Sequence, residues 1–369
     1  MPKIGDALEG KKTALIGTIY LHQPNKPSIL DEVSKSQWED DTAFPDKYFS
    51  DNDEIWLEDE SGRILLDLSN LSDVPTIVTG MILAFLGTIS VAGAFIVEDH
   101  MDSGLPIQKP IDSAYTKDGE KYIAFISGIN STISEPAYLQ MKMLIDFLSG
   151  ASSTDNAKSL ARSISCLVIA GNSIDYNDNN DDFVAYKESK FGFSNTNENA
   201  VSSIVSKEKL SIETVDSFIY QLSHLLPVLI MPGSTDPVSD ILPQPPMPVD
   251  ILLPRSSQMT SLYSLGNPCW FSADNISFLG SSGQNVEDIL RCIDKKTPVE
   301  VAKSTLTSRH LFPTCPDTLR NQDSFSRKEL FEGDNKKVLI ITIPKFKTSD
   351  QIVLLNLFDF TTKIVSFGS

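Results

Sequence analysis

Side chains that ligate metals or move protons are unevenly supplied in this chain of 369 residues, which has 49 Asp plus Glu but four histidines and four cysteines. The cysteines, Cys166, Cys269, Cys292 and Cys315, form no C-x-x-C pair, and their wide spacing reads as free, reduced thiols of an intracellular protein. The run Gly5-Asp6-Ala7-Leu8-Glu9-Gly10-Lys11 has the spacing of a phosphate-cradling P-loop. Lys12, however, stands where a Mg²⁺-binding hydroxyl is needed, and the run precedes a strand instead of following one, so the match is accidental. G-x-G-x-x-G, H-E-x-x-H and G-x-S-x-G do not occur, which leaves dinucleotide-dependent dehydrogenases, zincins and serine hydrolases without support. What remains are turns at the ends of three apolar runs: Ser127-Gly128-Ile129-Asn130, Ala170-Gly171-Asn172-Ser173 and Met231-Pro232-Gly233-Ser234-Thr235-Asp236-Pro237. Ligand groups collect at the carboxyl ends of strands in an open α/β sheet, so these turns are the candidate site.

Holding three such turns together takes strands alternating with amphipathic helices. Residues 121–127, 164–170 and 228–231 are expected strands. A helix over 136–148 sets Tyr138, Met141, Leu144, Ile145 and Leu148 on one face. A second over 212–225, capped by Ser211, lines up Val215, Phe218, Ile219, Leu222 and Leu225. A Pro-rich loop at 243–248, a strand at 276–279, a helix near 286–293 and strands at 337–343, 352–358 and 363–367 complete the pattern. The Asp/Asn-rich stretch 175–203 is too polar to build core and is expected to be a disordered surface insertion.

The first hundred residues have another rhythm. Short runs at 13–21, 55–58, 63–68, 79–90 and 94–97, with a turn at 59–62, fit a small closed barrel of the OB type, and the acidic segment 31–53 is a solvated connection within it. Residues 74–97 are uncharged and long enough to imitate a membrane span, but Pro75, Gly80, Gly87 and Gly93 divide them into two β-like runs. No apolar leader opens the chain, so the sequons at Asn70, Asn130 and Asn275 are expected to be chance matches. The boundaries expected are 1–105 for the barrel and 106–369 for the α/β domain. With 31 Lys plus Arg against 49 Asp plus Glu the net charge is −18, a poor balance for gripping a polyanion, so any contact with DNA is expected to be indirect.

In order and spacing the three turns resemble those of the calcineurin-like metallophosphoesterases, whose corresponding turns carry Asp-x-His, Gly-Asp and Gly-Asn-His-Asp. By that resemblance the metal positions are Gly128, Asn130, Asn172, Ser234, Thr235 and Asp236, of which only Asp236 keeps the family's residue type. Two hard cations about 4 Å apart need carboxylates and imidazoles from several turns. His22 and His100 fall in the barrel half, His224 in a helix and His310 after another, so none meets a matching turn. The resemblance therefore implies an α/β sandwich that has lost its metal ligands, with no catalytic residue, metal or cofactor. A plain turn residue before Pro237 is the more economical reading of Asp236.

A barrel followed by such a domain is similar to one family in particular, the B subunits of the eukaryotic replicative DNA polymerases alpha, delta and epsilon, and within it to the delta branch. The strings that carry this run along the chain: Leu57-Glu58-Asp59-Glu60 with Gly62-Arg63-Ile64, Phe95-Ile96-Val97-Glu98-Asp99, Ile169-Ala170-Gly171-Asn172-Ser173, Leu242-Pro243-Gln244-Pro245-Pro246, Asn267-Pro268, Phe278-Leu279-Gly280-Ser281-Ser282-Gly283-Gln284-Asn285-Val286 and Pro313-Thr314-Cys315-Pro316-Asp317. The resemblance implies a nuclear, non-catalytic scaffold that holds the cysteine-rich C-terminal domain of the polymerase's catalytic subunit and a further accessory subunit. Two alternatives stay open on the residues alone: a metallophosphoesterase with atypical ligands, and an OB-type single-strand binder using aromatics such as Trp56 and Phe95.

Overall fold

The structure is a computed structural model that describes residues 2–26, 47–106, 120–131, 138–151, 154–175, 198–239, 241–315, 328–333 and 336–367. In the first part of the chain apolar and polar residues alternate, and each such run is a strand with one face buried. These are β1 (Thr13–His22), β2 (Glu54–Asp59), β3 (Gly62–Asp67), β4 (Ile82–Ile89) and β5 (Phe95–Met101). They close into a barrel in the order β1-β2-β3-β5-β4, with β3 and β5 parallel and the other pairs antiparallel. Closure removes the open edges that a small sheet would otherwise present. Leu15, Ile19, Leu57, Phe85, Phe95 and Val97 fill the interior. The span-like stretch 74–97 thus contains a non-strand segment, 74–81, followed by β4, a turn and the start of β5, the turn closed by Ser90 N donating to Ala94 O (2.8 Å) and Gly93 N to Ser90 O (2.9 Å). Among the described residues no helix is long and apolar enough to cross a membrane. Of the acidic connection, residues 31–46 lie outside the described residues.

Strands β6 (Tyr122–Ile126), β7 (Ile164–Ala170), β8 (Val228–Met231) and β9 (Leu262–Ser264) run parallel side by side. The antiparallel β14 (Gln351–Asn356) and β15 (Thr362–Ser366) extend that sheet beyond β6. Its inner strands are continuous apolar runs because both faces are covered. On one face lie α1 (Tyr138–Leu148), α2 (Asp155–Arg162) and α3 (Glu198–Ser223), whose Met141, Leu144, Ala161, Val215, Phe218, Ile219 and Leu222 pack with Tyr122, Ala124, Ile126, Leu167 and Ile169. On the other, the hairpin of β10 (Cys269–Ala273) and β11 (Ile276–Gly280) sets Phe278 against Phe125, ring centroids 6.1 Å apart.

Several local expectations are corrected. The helix expected from residue 212 begins at Glu198, so Ser211 is buried inside it and caps nothing. Upstream of the apolar stripe that makes the helix visible, residues 198–211 contain no Gly or Pro to stop it, and Lys207, Glu208, Lys209 and Leu210 are good helix formers. The same helix takes up residues 198–203 of the Asp/Asn-rich stretch, whose residues 176–197 lie outside the described residues. Because the helix stops at Ser223, Leu225 falls off the stripe and is exposed. The strand expected at 276–279 is present as β11, and among the described residues its strand partner is β10. The strand expected at 337–343 is likewise present, as β13 (Lys336–Ile341), and pairs with β12 (Lys328–Gly333).

Contacts divide the chain into two compact units. The first joins Met1–Lys109 with Gln284–Gln322 and Arg327–Ile341, and so contains the barrel together with α5 (Gln284–Cys292) and α6 (Pro298–Thr307). Ile289, Cys292 and Val301 from these helices are members of the barrel's own core. The second unit holds the six-stranded sheet, with the short helices α4 (Val249–Leu252) and α7 (Phe346–Ser349).

Candidate functional site

The parallel registers of β6, β7 and β8 bring their carboxyl ends into line, with Ile126 opposite Ile169 and Ala170 opposite Met231. The turns that follow therefore meet. Ladder-like bonding continues past the strands: Gly128 N donates to Gly171 O (3.1 Å), Asn130 N to Asn172 O (2.9 Å) and Ser131 N to Ser173 O (3.1 Å). Asn130 and Asn172 both have left-handed backbone, with φ of 41° and 57°, a conformation in which asparagine is enriched among non-glycine residues.

Asn172 is the hub on the neutral side. Its Oδ1 accepts from Thr235 N (3.2 Å), Ser234 Oγ (3.3 Å) and Thr235 Oγ1 (3.4 Å). A Cβ on Gly233 would stand 2.1 Å from that oxygen, so only glycine lets the two turns approach this closely. Gly128, with φ of 63°, lies under the backbone and stem of Lys345. There the chain entering α7 is pinned by Phe346 N donating to Ser127 O (2.8 Å) and Lys347 N to Gly128 O (3.0 Å). Asn130 Nδ2 reaches Asp175 Oδ2 at 3.4 Å, while its buried Oδ1 has no hydrogen-bond partner among the described residues.

Asp236 is the one carboxylate among the resemblance-derived positions, and it faces inward. Oδ2 accepts from Asn172 N (2.8 Å) and Gly233 N (2.8 Å), and Oδ1 from Ser173 N (2.9 Å) and Ile174 N (2.8 Å). With its side chain buried, desolvation pushes the carboxyl up to about 6 against the pull of those amides. Asp236 is thus more than a residue of its own turn. It ties the β7 turn to the β8 turn.

The structure brings Gly128, Asn130, Asn172, Ser234, Thr235 and Asp236 together, but as a bonded lattice of backbone and neutral polar groups around one carboxylate. Among the described residues no group of three or more His, Cys, Asp or Glu side chains is arranged to hold a metal ion. The histidines are elsewhere: His22 and His100 on barrel strands, His310 donating from Nδ1 to Gly80 O (3.1 Å), and His224 just beyond α3, where it donates from Nδ1 to Tyr220 O (2.8 Å).

Sequence reasoning assigns no role to the support beneath the β8 turn. Gln244 Nε2 donates to Gly233 O (3.2 Å) and Ser239 O (3.0 Å), Asn267 Nδ2 to Gln244 Oε1 (2.7 Å), and Ser282 N to Asn267 Oδ1 (3.1 Å), while Ser282 Oγ donates to Pro232 O. In the sequence Gln244, Asn267 and Ser282 stand out only as members of resembling strings. Buried amide side chains beside a candidate turn are the available signal, since such groups have to be bonded.

Residues 123–333 match the family model of the DNA polymerase alpha/epsilon B subunit, and residues 1–100 match that of the DNA polymerase delta subunit OB-fold domain. The DNA polymerase delta small subunit of Oryza sativa subsp. japonica is 32% identical over 98% of this chain and 85% of its own. Its counterpart in Arabidopsis thaliana is 33% identical over 98% and 83%, and that in Saccharomyces cerevisiae 28% over 93% and 76%. The match spans both the barrel and the sheet with its three bonded turns, and on that footing the chain belongs to the B-subunit family of DNA polymerases alpha and epsilon, among the small subunits of DNA polymerase delta.

Proposed function

We propose that this chain is a non-catalytic scaffold of a replicative DNA polymerase delta. In this reading it holds the cysteine-rich C-terminal domain of the catalytic subunit and presents a site for a further accessory subunit. The six-stranded sheet is then a calcineurin-like body whose metal ligands have been replaced, and the barrel its companion domain. The observation that carries the reading is Asp236: its four lone-pair directions are taken up by backbone amides at 2.8–2.9 Å, which leaves the carboxylate no free face for a cation. A rigid, pre-bonded set of turns loses little freedom when a partner docks, which favours a platform role. The net charge of −18 suits a subunit that stands beside DNA and attracts basic partner segments, and chromosomal replication sets its work in the nucleus.

The test is co-expression with the catalytic subunit's C-terminal domain, followed by size-exclusion chromatography and metal analysis. Co-elution at a fixed stoichiometry is expected, with metal accounted for by the partner. Elution as separate species overturns the scaffold reading. Mn²⁺-dependent hydrolysis of a generic phosphodiester by the purified chain, persisting through successive columns, overturns the non-catalytic one.

A further inference from the structure

The outer face of the barrel carries apolar side chains that its core does not use. Alternation along β1 turns Ile16, Thr18 and Tyr20 outward, and β4 and β5 present Ile82, Ala84 and Met101 on the same side. The ladders place them as neighbours: Ile16 opposite Ala84, Ala84 opposite Met101, Thr18 opposite Ile82, Tyr20 opposite Trp56, and Trp56 opposite Leu65. Ile16 is 41% exposed, Tyr20 37%, Ile82 53% and Met101 65%. Isolated exposed apolar residues are ordinary, whereas a contiguous set across neighbouring strands marks an interaction surface. Acidic groups border it. Glu54 and Glu58 flank Trp56 on β2, and Asp99 stands opposite Leu86 at the β5 side. Arg63, opposite Glu58, has its guanidinium 5.0 Å above the Trp56 ring.

We propose that this face docks a segment of another polymerase subunit that presents a row of apolar side chains flanked by Lys or Arg. The proposal rests on the scaffold reading above and gives it a location. Charge selects the occupant. A single-stranded oligonucleotide would find Tyr20 and Trp56 to stack on, but its phosphates would face Glu54, Glu58 and Asp99. A second copy of the chain would bring the same acidic border against itself. A basic-flanked apolar segment is favoured by both the stripe and its rim.

The experiment co-expresses the full chain with the other subunits of a delta-type polymerase and measures association at low and high salt. Ile82→Glu combined with Met101→Glu should weaken association by about tenfold or more with an unchanged melting temperature, because both side chains are exposed. Glu58→Lys should weaken it as well and flatten its salt dependence, an effect that lost packing alone does not produce. Equal binding by the wild type and the double-glutamate variant overturns the location while leaving the scaffold reading standing. A wild-type chain that captures no polymerase subunit overturns both. Changes confined to self-association on sedimentation, or to binding of a labelled single-stranded oligonucleotide, overturn the proposal in favour of those occupants.

Discussion

Asp236→Asn keeps the shape of the side chain and removes one acceptor oxygen, so an amide NH₂ comes to face two of the four backbone donors that the carboxylate now satisfies. Each buried donor left unpaired costs about 1–3 kcal/mol, and a total of about 2–4 kcal/mol is expected in urea unfolding. The pH dependence then decides which influence on the carboxyl is larger. Burial raises its folded-state value from 3.8 to about 6, so its linked contribution to stability is fully present below the unfolded value and is lost as pH rises through about 6. The wild type's advantage over the variant should therefore widen as pH falls from 7 to 5. An advantage that narrows would show that the amides outweigh desolvation. The candidate positions are legible as a set because turns at adjacent strand ends must meet. The role of Asp236 is not, since its partners in the β7 turn lie 62 to 64 residues away, and no local pattern encodes a bond of that range.

At the scale of elements, helix α6 is started by a complete capping box. Thr297 Oγ1 accepts from Glu300 N (3.3 Å), and Glu300 Oε2 accepts from Thr297 N (2.7 Å), ahead of Pro298 at the first helical position. Thr297→Ala should lower stability by about 1 kcal/mol in urea unfolding, and no change would mean that packing of Val299 and Val301 alone holds the helix. The box is written plainly in Thr297-Pro298-Val299-Glu300, yet the segment lies outside both recognisable rhythms, so nothing in the pattern directs attention to it. The long strands are legible for the opposite reason. Alternation in Thr13–His22 and continuous apolarity in Ile164–Ala170 state both the element and whether one face or two are covered. Leu262–Ser264 is three residues long and carries no period at all, so only its pairing with β8 makes it a strand.

At the scale of the molecule, the barrel's core is assembled from distant parts of the chain, which local periodicity cannot show. Ile289 and Val301 are almost fully buried within the cluster that contains Leu15, Phe85 and Phe95. The attachment is polar as well. Gln23 Nε2 donates to Cys292 O (2.9 Å) and Tyr48 N to Arg291 O (2.8 Å), while Arg309 donates from Nε to Gly104 O (2.9 Å) and from Nη2 to Leu105 O (3.1 Å). A fragment of residues 1–105 keeps every barrel strand but exposes the apolar surface that α5 and α6 cover and strands these polar groups. Small domains bury too little surface to tolerate such a loss. Expressed alone, the fragment should bind a hydrophobic dye and unfold over a broad range. The same fragment joined by a flexible linker to residues 284–315 should recover a sharp transition, read by circular dichroism and intrinsic fluorescence. A cooperative fragment with a melting temperature close to that of the joined form would mean that the strands close a sufficient core by themselves. A lesion in α5 or α6 would loosen the outer barrel face as well, so weaker association of the Ile82→Glu, Met101→Glu chain reports docking only when its melting temperature is unchanged.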